Sequence, residues 1–293
     1  MTQRPFGRRP VSPRSGGGRT PTGRHIRRAR SIRRASGGLG PARAGAALAL
    51  LVSTAAIYGV ANSSAFRYEN LSLAGASLTP ESAITAALEP ARDQNLFRLR
   101  VGPLETQLKA LTTVADATVS IRLPDALVVT IKERAPILVW RVGDHRFLAD
   151  GTGLLFGEAG QGGVAALPVI DDQRAASTSL GIGQRLDHID LDAATRLGSL
   201  VPADVGSEAT SLAVIVTDAT GFTVHAAPIG WDAVFGFYTP TLRTPDLIPG
   251  QVRLLRSLII GREPVIDRVI LASDTDGTYV PKATPTPSPS AKP

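Results

Sequence analysis

The stretch VADATVSIRLPDALVVTIK, residues 114–132, changes the apolar period of the chain from that of a helix to that of a strand. Ala115, Ala117, Val119, Ile121 and Leu123 alternate with Asp116, Thr118, Ser120 and Arg122, which predicts a half-buried strand. Pro124-Asp125 supplies a turn, and Leu127, Val129 and Ile131 then alternate with Val128, Thr130 and Lys132 in a returning strand. Working outward, Gly102-Pro103 opens a short helix whose Leu104, Leu108 and Leu111 share one face. An apolar hook, Asn95-Leu96-Phe97-Arg98-Leu99, precedes it. An earlier helix has Thr79 as N-cap, Pro80 at its first position and Glu81 in its first turn, with Ile84, Ala87 and Leu88 at helical spacing before Pro90 bars continuation. Arg67 to Leu73, with Tyr68, Leu71 and Leu73 apolar, reads as a strand closed by Gly75. The order is β-α-α-β-β, and two helices on one face of a three-stranded sheet close a small α+β core.

On the N-terminal side, Ala44 to Phe66 is a run of twenty-three residues without a formal charge, between Arg43 and Arg67. As a helix it is about 35 Å long, enough to cross a bilayer, with Ala44 to Ala61 as the effective span. Residues 1–43 hold twelve Arg and no Lys, Asp or Glu against a whole-chain charge of +7, so residues 44–293 carry −5. Such a basic flank places the N-terminus in the cytoplasm and the bulk of the chain outside. A cleaved signal fits poorly, because the leading segment is too long and Ser63-Ser64-Ala65 is a poor cleavage site. Gly45, Ala49 and Ser53 recur every four residues, as a helix-packing face would, although an Ala-rich span yields such spacing readily. The arm 1–43 is too polar to fold alone and is expected to meet inner-membrane lipids. Nucleic acid is disfavoured because Phe6 is its one stacking residue.

Beyond the deciding stretch, Ile137–Val142, Arg146–Ala149 and Leu154–Phe156 read as strands around an Asp150-Gly151 hairpin turn. Val164 to Ile170 leads into a loop at Asp171-Asp172, and Leu191–Val201 is a short helix. Leu212–Val216, Gly221–Ala226 and Ala233–Phe237 form a meander, residues 248–260 a helix, and Ile266–Leu271 the last strand. The tail from Pro281 has five prolines in thirteen residues and is expected to be extended. The expected organisation is a disordered basic arm (1–43), one transmembrane helix (44–65), a β-α-α-β-β module (66–134), a β-rich α+β domain (135–275) and a disordered Pro/Ser/Thr tail (276–293).

Catalytic chemistry has few carriers. The absence of cysteine excludes disulfides, thiolate metal sites and a cysteine nucleophile. In His188-Ile189-Asp190-Leu191-Asp192 a histidine and two carboxylates alternate along an extended stretch, but no partner cluster exists, and a polar strand edge with Asp190 or Asp192 capping the next helix is the plainer reading. Asp171-Asp172 reads as a solvated pair, while His145 and His225 lack a nucleophile elbow nearby. Gly181-Ile182-Gly183 lacks the rest of a phosphate loop. No catalytic, metal or cofactor residue is assigned and no small-molecule substrate is expected.

Seven pieces in order, Phe66 to Gly75, Asn95-Leu96-Phe97, Leu111 to Val114, Leu123-Pro124-Asp125-Ala126-Leu127, Lys132-Glu133-Arg134-Ala135-Pro136, Trp140 and Asp150-Gly151-Thr152-Gly153, resemble the POTRA domain and following strands of the cell-division family FtsQ/DivIB. The close resemblance covers Phe66 to Phe156. It implies a non-catalytic, single-pass, N-in scaffold of the division machinery that recruits FtsB- and FtsL-like proteins and regulates septal peptidoglycan synthesis. It also implies that partners add a strand to an exposed edge at Asp267, Arg268, Val269, Ile270, Leu271 and Ala272, with Tyr279 beyond. The family's acidic residue and arginine after the branched positions are replaced here by Leu271, Ala272 and Ser273. Val269 and Leu271 also fit ordinary core. Arg134, Pro136 and Trp140 mark the inter-domain junction, Pro136 holding Ala135 extended and Trp140 serving as wedge or core. A POTRA protein of envelope assembly or secretion is the alternative, as is, more remotely, a secreted enzyme released near residue 65.

Overall fold

The computed structural model describes residues 40–160 and 167–283. The basic arm, apart from residues 40–43, and the tail beyond 283 lie outside them. The first element is helix α1 (Pro41–Ala61), whose mean hydropathy of 1.8 and length suit a membrane crossing. The helix ends at Ala61, where the effective span was expected to end, four residues short of the outer bound at 65. Polar side chains compete there with the backbone ladder: Asn62 Nδ2 donates to Tyr58 O at 2.7 Å, and Ser63 Oγ accepts from Ala65 N–H at 3.2 Å.

The following module is a sheet of order β1-β3-β2, with β1 Asn70–Ala74, β2 Val114–Arg122 and β3 Ala126–Glu133. β1 runs parallel to the central β3, and β2 antiparallel to it. Helices α2 (Glu81–Leu88) and α3 (Val101–Lys109) bury Ile84, Leu88, Leu104 and Leu108 against Ala117, Val119, Leu127, Val129 and Ile131. The alternation in β2 is only partly used by this core. A register shift between Val114 and Asp116 turns Val114 inward and Ala115 out, and Ile121 and Leu123 are 37% and 50% exposed beyond the core. At Gly75 the backbone is left-handed (φ 84°), and an added Cβ would collide with Ile131 O, so only glycine closes β1 this tightly.

The start of α2 corrects the expected cap. Thr79 does not cap the helix: its hydroxyl shares a 2.8 Å hydrogen bond with Thr113. The carboxylate of Glu133, at the end of β3, instead accepts the Ser77 hydroxyl (2.6 Å), the Leu78 N–H (2.8 Å) and the Thr79 N–H (2.6 Å). A long-range carboxylate thus holds the donors just ahead of the helix, while the helix itself has no side-chain cap. Burial pushes the Glu133 carboxyl up, but these donors outweigh it and hold the pKa at about 2. Because the folded value lies below the ordinary one, this stabilisation is complete above about pH 4.5 and fades as pH falls toward about 2. Glu133→Gln is therefore expected to destabilise the module by about 1–3 kcal/mol at pH 7 and by progressively less below pH 4, as urea unfolding at several pH values would show. A loss equal at pH 7 and pH 3 would contradict this.

The second domain is a nine-stranded sheet of order β12-β11-β10-β9-β8-β7-β4-β5-β6. Its strands are β4 Pro136–Val142, β5 His145–Asp150, β6 Leu155–Glu158, β7 Val169–Asp172, β8 Ser211–Thr217, β9 Gly221–Ala227, β10 Trp231–Gly236, β11 Ile266–Leu271 and β12 Gly277–Pro281. One face packs beneath α4 (His188–Gly198), the short α5 (Pro202–Val205) and α6 (Ile248–Ile259), burying Trp140, Ile170, Val214, Val224, Trp231, Phe235, Val269 and Leu271. On the other face Val139, Leu148, Leu154 and Phe156 form a small separate cluster.

Three expectations are corrected here. Asp171-Asp172 is not a solvated loop but the end of β7, and Asp172 is 1% exposed. His188 to Asp192 is not extended: Asp187 caps α4 by accepting the Ile189 N–H at 2.8 Å, so these residues are the first turns of a helix. At helical spacing their side chains diverge, Asp190 pairing with Arg174 and Asp192 with Arg196. Finally, the chain is not extended tail from residue 276, because β12 pairs antiparallel with β11.

Candidate functional site

The sheet ends at β12, and this changes the expected binding edge. β11, with Asp267 to Leu271, is not an edge: β10 pairs with it in parallel on one side and β12 antiparallel on the other. Val269 and Leu271 are 0% and 1% exposed under α6, whereas Arg268, Ile270 and Ala272 face outward. Of the expected binding residues, Tyr279 alone lies on the true edge. The missed feature was a five-residue strand, Gly-Thr-Tyr-Val-Pro, hidden by its closeness to the proline-rich tail; its β-branched and aromatic centre was the available signal.

The turn that creates the edge is built from short polar side chains. Ser273 Oγ accepts the Thr275 and Asp276 N–H groups at 3.2 and 2.9 Å, and Ser273 N–H donates to Asp276 O at 3.0 Å. α6 lies so close to this turn that a Cβ on Gly250 would collide with Asp274. The end of β11 is pinned from below. Arg243 donates to Phe235 O, Leu271 O and Ala272 O, while buried Gln251 accepts the Tyr238 hydroxyl at 2.8 Å and donates to Leu271 O at 3.3 Å. Burial pushes the Tyr238 hydroxyl pKa up, beyond what nearby Arg243 lowers it, so it stays a neutral donor.

The ladder direction follows from one bond. Lys282 N–H donates inward to Val265 O at 2.8 Å. Backbone groups of alternate residues in a strand point the same way, so Thr278 and Val280 also bond toward β11, in register with Ile270 and Arg268. Gly277 and Tyr279 therefore present their N–H and C=O groups away from the sheet, where no described strand meets them. Pro281 has no N–H to offer and ends the edge. The Tyr279 ring, 39% exposed, lies 5.9 Å from the Arg262 guanidinium, and Val280 is 43% exposed. The edge is short, rigidly backed and apolar on its flanks, which suits addition of a strand.

The junction residues fall into two groups. Arg134 joins the two domains: its Nε donates to Thr112 O at 2.9 Å and its Nη1 to Asp150 Oδ2 at 2.8 Å. Pro136 opens β4 opposite Asp150. Trp140 is no wedge; it is fully buried in the second domain and donates Nε1–H to Asp172 at 3.1 Å.

Among the described residues, one helix long and apolar enough to cross a membrane is followed by a β-α-α-β-β module of POTRA type and a sheet with an open edge at β12. Residues 66–134 match the family model described as "POTRA domain, FtsQ-type". The chain is 27% identical over 247 residues to the cell division protein FtsQ of Chloroflexus aurantiacus, covering 83% of this chain and 80% of that protein. It is 27% identical over 230 residues to the FtsQ of Chloroflexus aggregans, covering 78% and 77%. With the FtsQ of Novosphingobium aromaticivorans it shares 30% over 155 residues, 53% of this chain and 44% of that one. The chain thus carries an FtsQ-type POTRA domain and is similar over most of its length to FtsQ cell-division proteins, which supports an FtsQ/DivIB assignment.

Proposed function

We propose that the protein is a non-catalytic scaffold of the division machinery, anchored with its N-terminus in the cytoplasm, that gathers FtsB- and FtsL-like membrane proteins and so regulates septal peptidoglycan synthesis. The observation that carries this reading is the open edge of β12, where Gly277 and Tyr279 leave ladder groups free for a partner strand. The basic flank before α1 sets the orientation and draws the arm to anionic inner-leaflet lipids. Arg134 supports the scaffold role by tying the POTRA module to the sheet, so that force or position set at the membrane passes to the binding edge.

Depletion of the protein in its host, with a fluorescent tag on the N-terminus, tests the reading. The expected outcome is midcell fluorescence before depletion and filaments or unseparated cells after it. Uniform envelope fluorescence with normal division would favour an assembly or secretion role instead.

A further inference from the structure

The hook residue Phe97 is 51% exposed although it sits in a loop held by hydrogen bonds. The loop is tied to the chain just beyond α1: Leu96 N–H donates to Phe66 O at 2.8 Å, Asn95 Nδ2 to Ser63 O at 3.2 Å, and Phe97 N–H to Asn95 Oδ1 at 3.0 Å. Phe97 also stacks edge-on against Phe66, with ring centroids 4.9 Å apart. Its outer surface lines an apolar groove of about 310 Å³ together with Ala56, Ile57, Val60 and Ala61 from the last turns of α1. All of these residues lie within the compact unit that begins at Ala56. Beside it, Arg98 and Arg100 open onto a cavity of about 300 Å³ lined also by Gln94, Leu99 and Pro103. Both arginines are exposed, and neither makes an ion pair among the described residues.

We propose that this face of the POTRA module docks onto the bilayer itself, with Phe97 seated in the interface at the level of the last turns of α1 and Arg98 and Arg100 holding the phosphate of an anionic phospholipid. Continuity of the chain fixes the occupant. Ile57 and Val60 belong to the helix that crosses the membrane, so a ring sharing a groove with them stands at the depth where acyl chains meet headgroups. Aromatic rings are enriched at that depth because one part is apolar while the rim tolerates water. Exposed Phe97 would otherwise leave an apolar surface in water, whereas lipid covers it without a protein partner. The two arginines add attraction to anionic headgroups that is screened by salt. Docking of this kind orients the module, and through Arg134 the second domain, against the membrane.

Full-length Phe97→Trp protein in liposomes provides the test, since native Trp140 and Trp231 are both fully buried. With lipids brominated in the upper acyl chain, the emission added by the introduced indole is expected to fall about two-fold or more, since a ring at the interface lies within reach of the bromines. In Arg98→Glu/Arg100→Glu protein that also carries Phe97→Trp, the quenching should weaken in phosphatidylglycerol vesicles and stay unchanged in phosphatidylcholine. Indole emission that ignores brominated lipid, in Phe97→Trp protein whose circular dichroism matches the parent, would overturn the proposal. Quenching that a co-reconstituted division protein relieves, with none of the arginine dependence, would instead make the groove a seat for a partner helix and equally overturn it.

Discussion

Tyr279→Pro is expected to lower capture of the partner ectodomains about ten-fold or more while leaving the domain folded. The outward N–H of Tyr279 is a donor that a partner strand needs and that the β11–β12 ladder does not use. Losing one buried ladder bond costs about 1–1.5 kcal/mol, and the pyrrolidine ring also obstructs an incoming backbone, which together give about a ten-fold weaker complex. Val280→Pro is the contrasting variant. The Val280 N–H points toward β11, so proline there should detach the end of β12 and lower the unfolding midpoint as well as binding. Tyr279→Phe, which keeps the backbone and the ring over Arg262, should bind as the parent does. Co-purification in detergent, with urea unfolding alongside, separates the cases; parent-like capture by Tyr279→Pro would refute strand addition at this edge. A proline at Ile270 is a poorer probe, since Ile270 lies opposite Thr278 and its loss would release β12.

Asp172→Ala is expected to cost about 3–5 kcal/mol of the second domain's stability. The carboxylate is fully buried and accepts the Trp140 indole N–H at 3.1 Å, the Ser177 hydroxyl at 2.5 Å and the Arg174 guanidinium at 2.8 and 2.9 Å. Burial pushes its carboxyl up, but Arg174 and Ser177 outweigh that and keep it below the usual range. Its removal leaves Arg174 with Asp190 alone and strands the buried Trp140 and Ser177 donors. Urea unfolding followed by near-ultraviolet circular dichroism of Trp140 reads the loss. Should that variant fail to fold, Ser177→Ala, expected to cost about 1 kcal/mol, measures one arm of the same network. A cost for Asp172→Ala no larger than that for Ser177→Ala would mean that the network is not cooperative.

Much of the site's backing was legible because it follows a period. Ile248, Leu255 and Ile259 on α6, and Val269 and Leu271 on β11, announce a helix and a strand sharing a core, and they do share one. The edge itself was not legible, because an edge is a relation among strands: β11 loses that role only through pairing with β12. Asp171-Asp172 shows the same limit. Two adjacent carboxylates read as solvated until Trp140, thirty-two residues away, and Arg174, an ordinary arginine in the sequence, are brought onto one of them. Ile121 and Leu123 fail in the opposite direction, being apolar residues at correct spacing that lie outside the module's core.

The sequence by itself determined the elements whose causes are local: the apolar run of α1, the apolar faces of α2 and α3, and the alternation of β2 and β3. Helical and strand periods, turn residues and charge bias act within a few residues, so they are written into the order of the chain. The tertiary structure alone decided that Glu133 holds the residues leading into α2, that Asp172 lies in the core, and that Tyr279 stands at the open end of the sheet. Each of these depends on a hydrogen-bonding group finding its partner, or being left without one, across tens of residues. Satisfaction of that kind is set by packing, which no local pattern records.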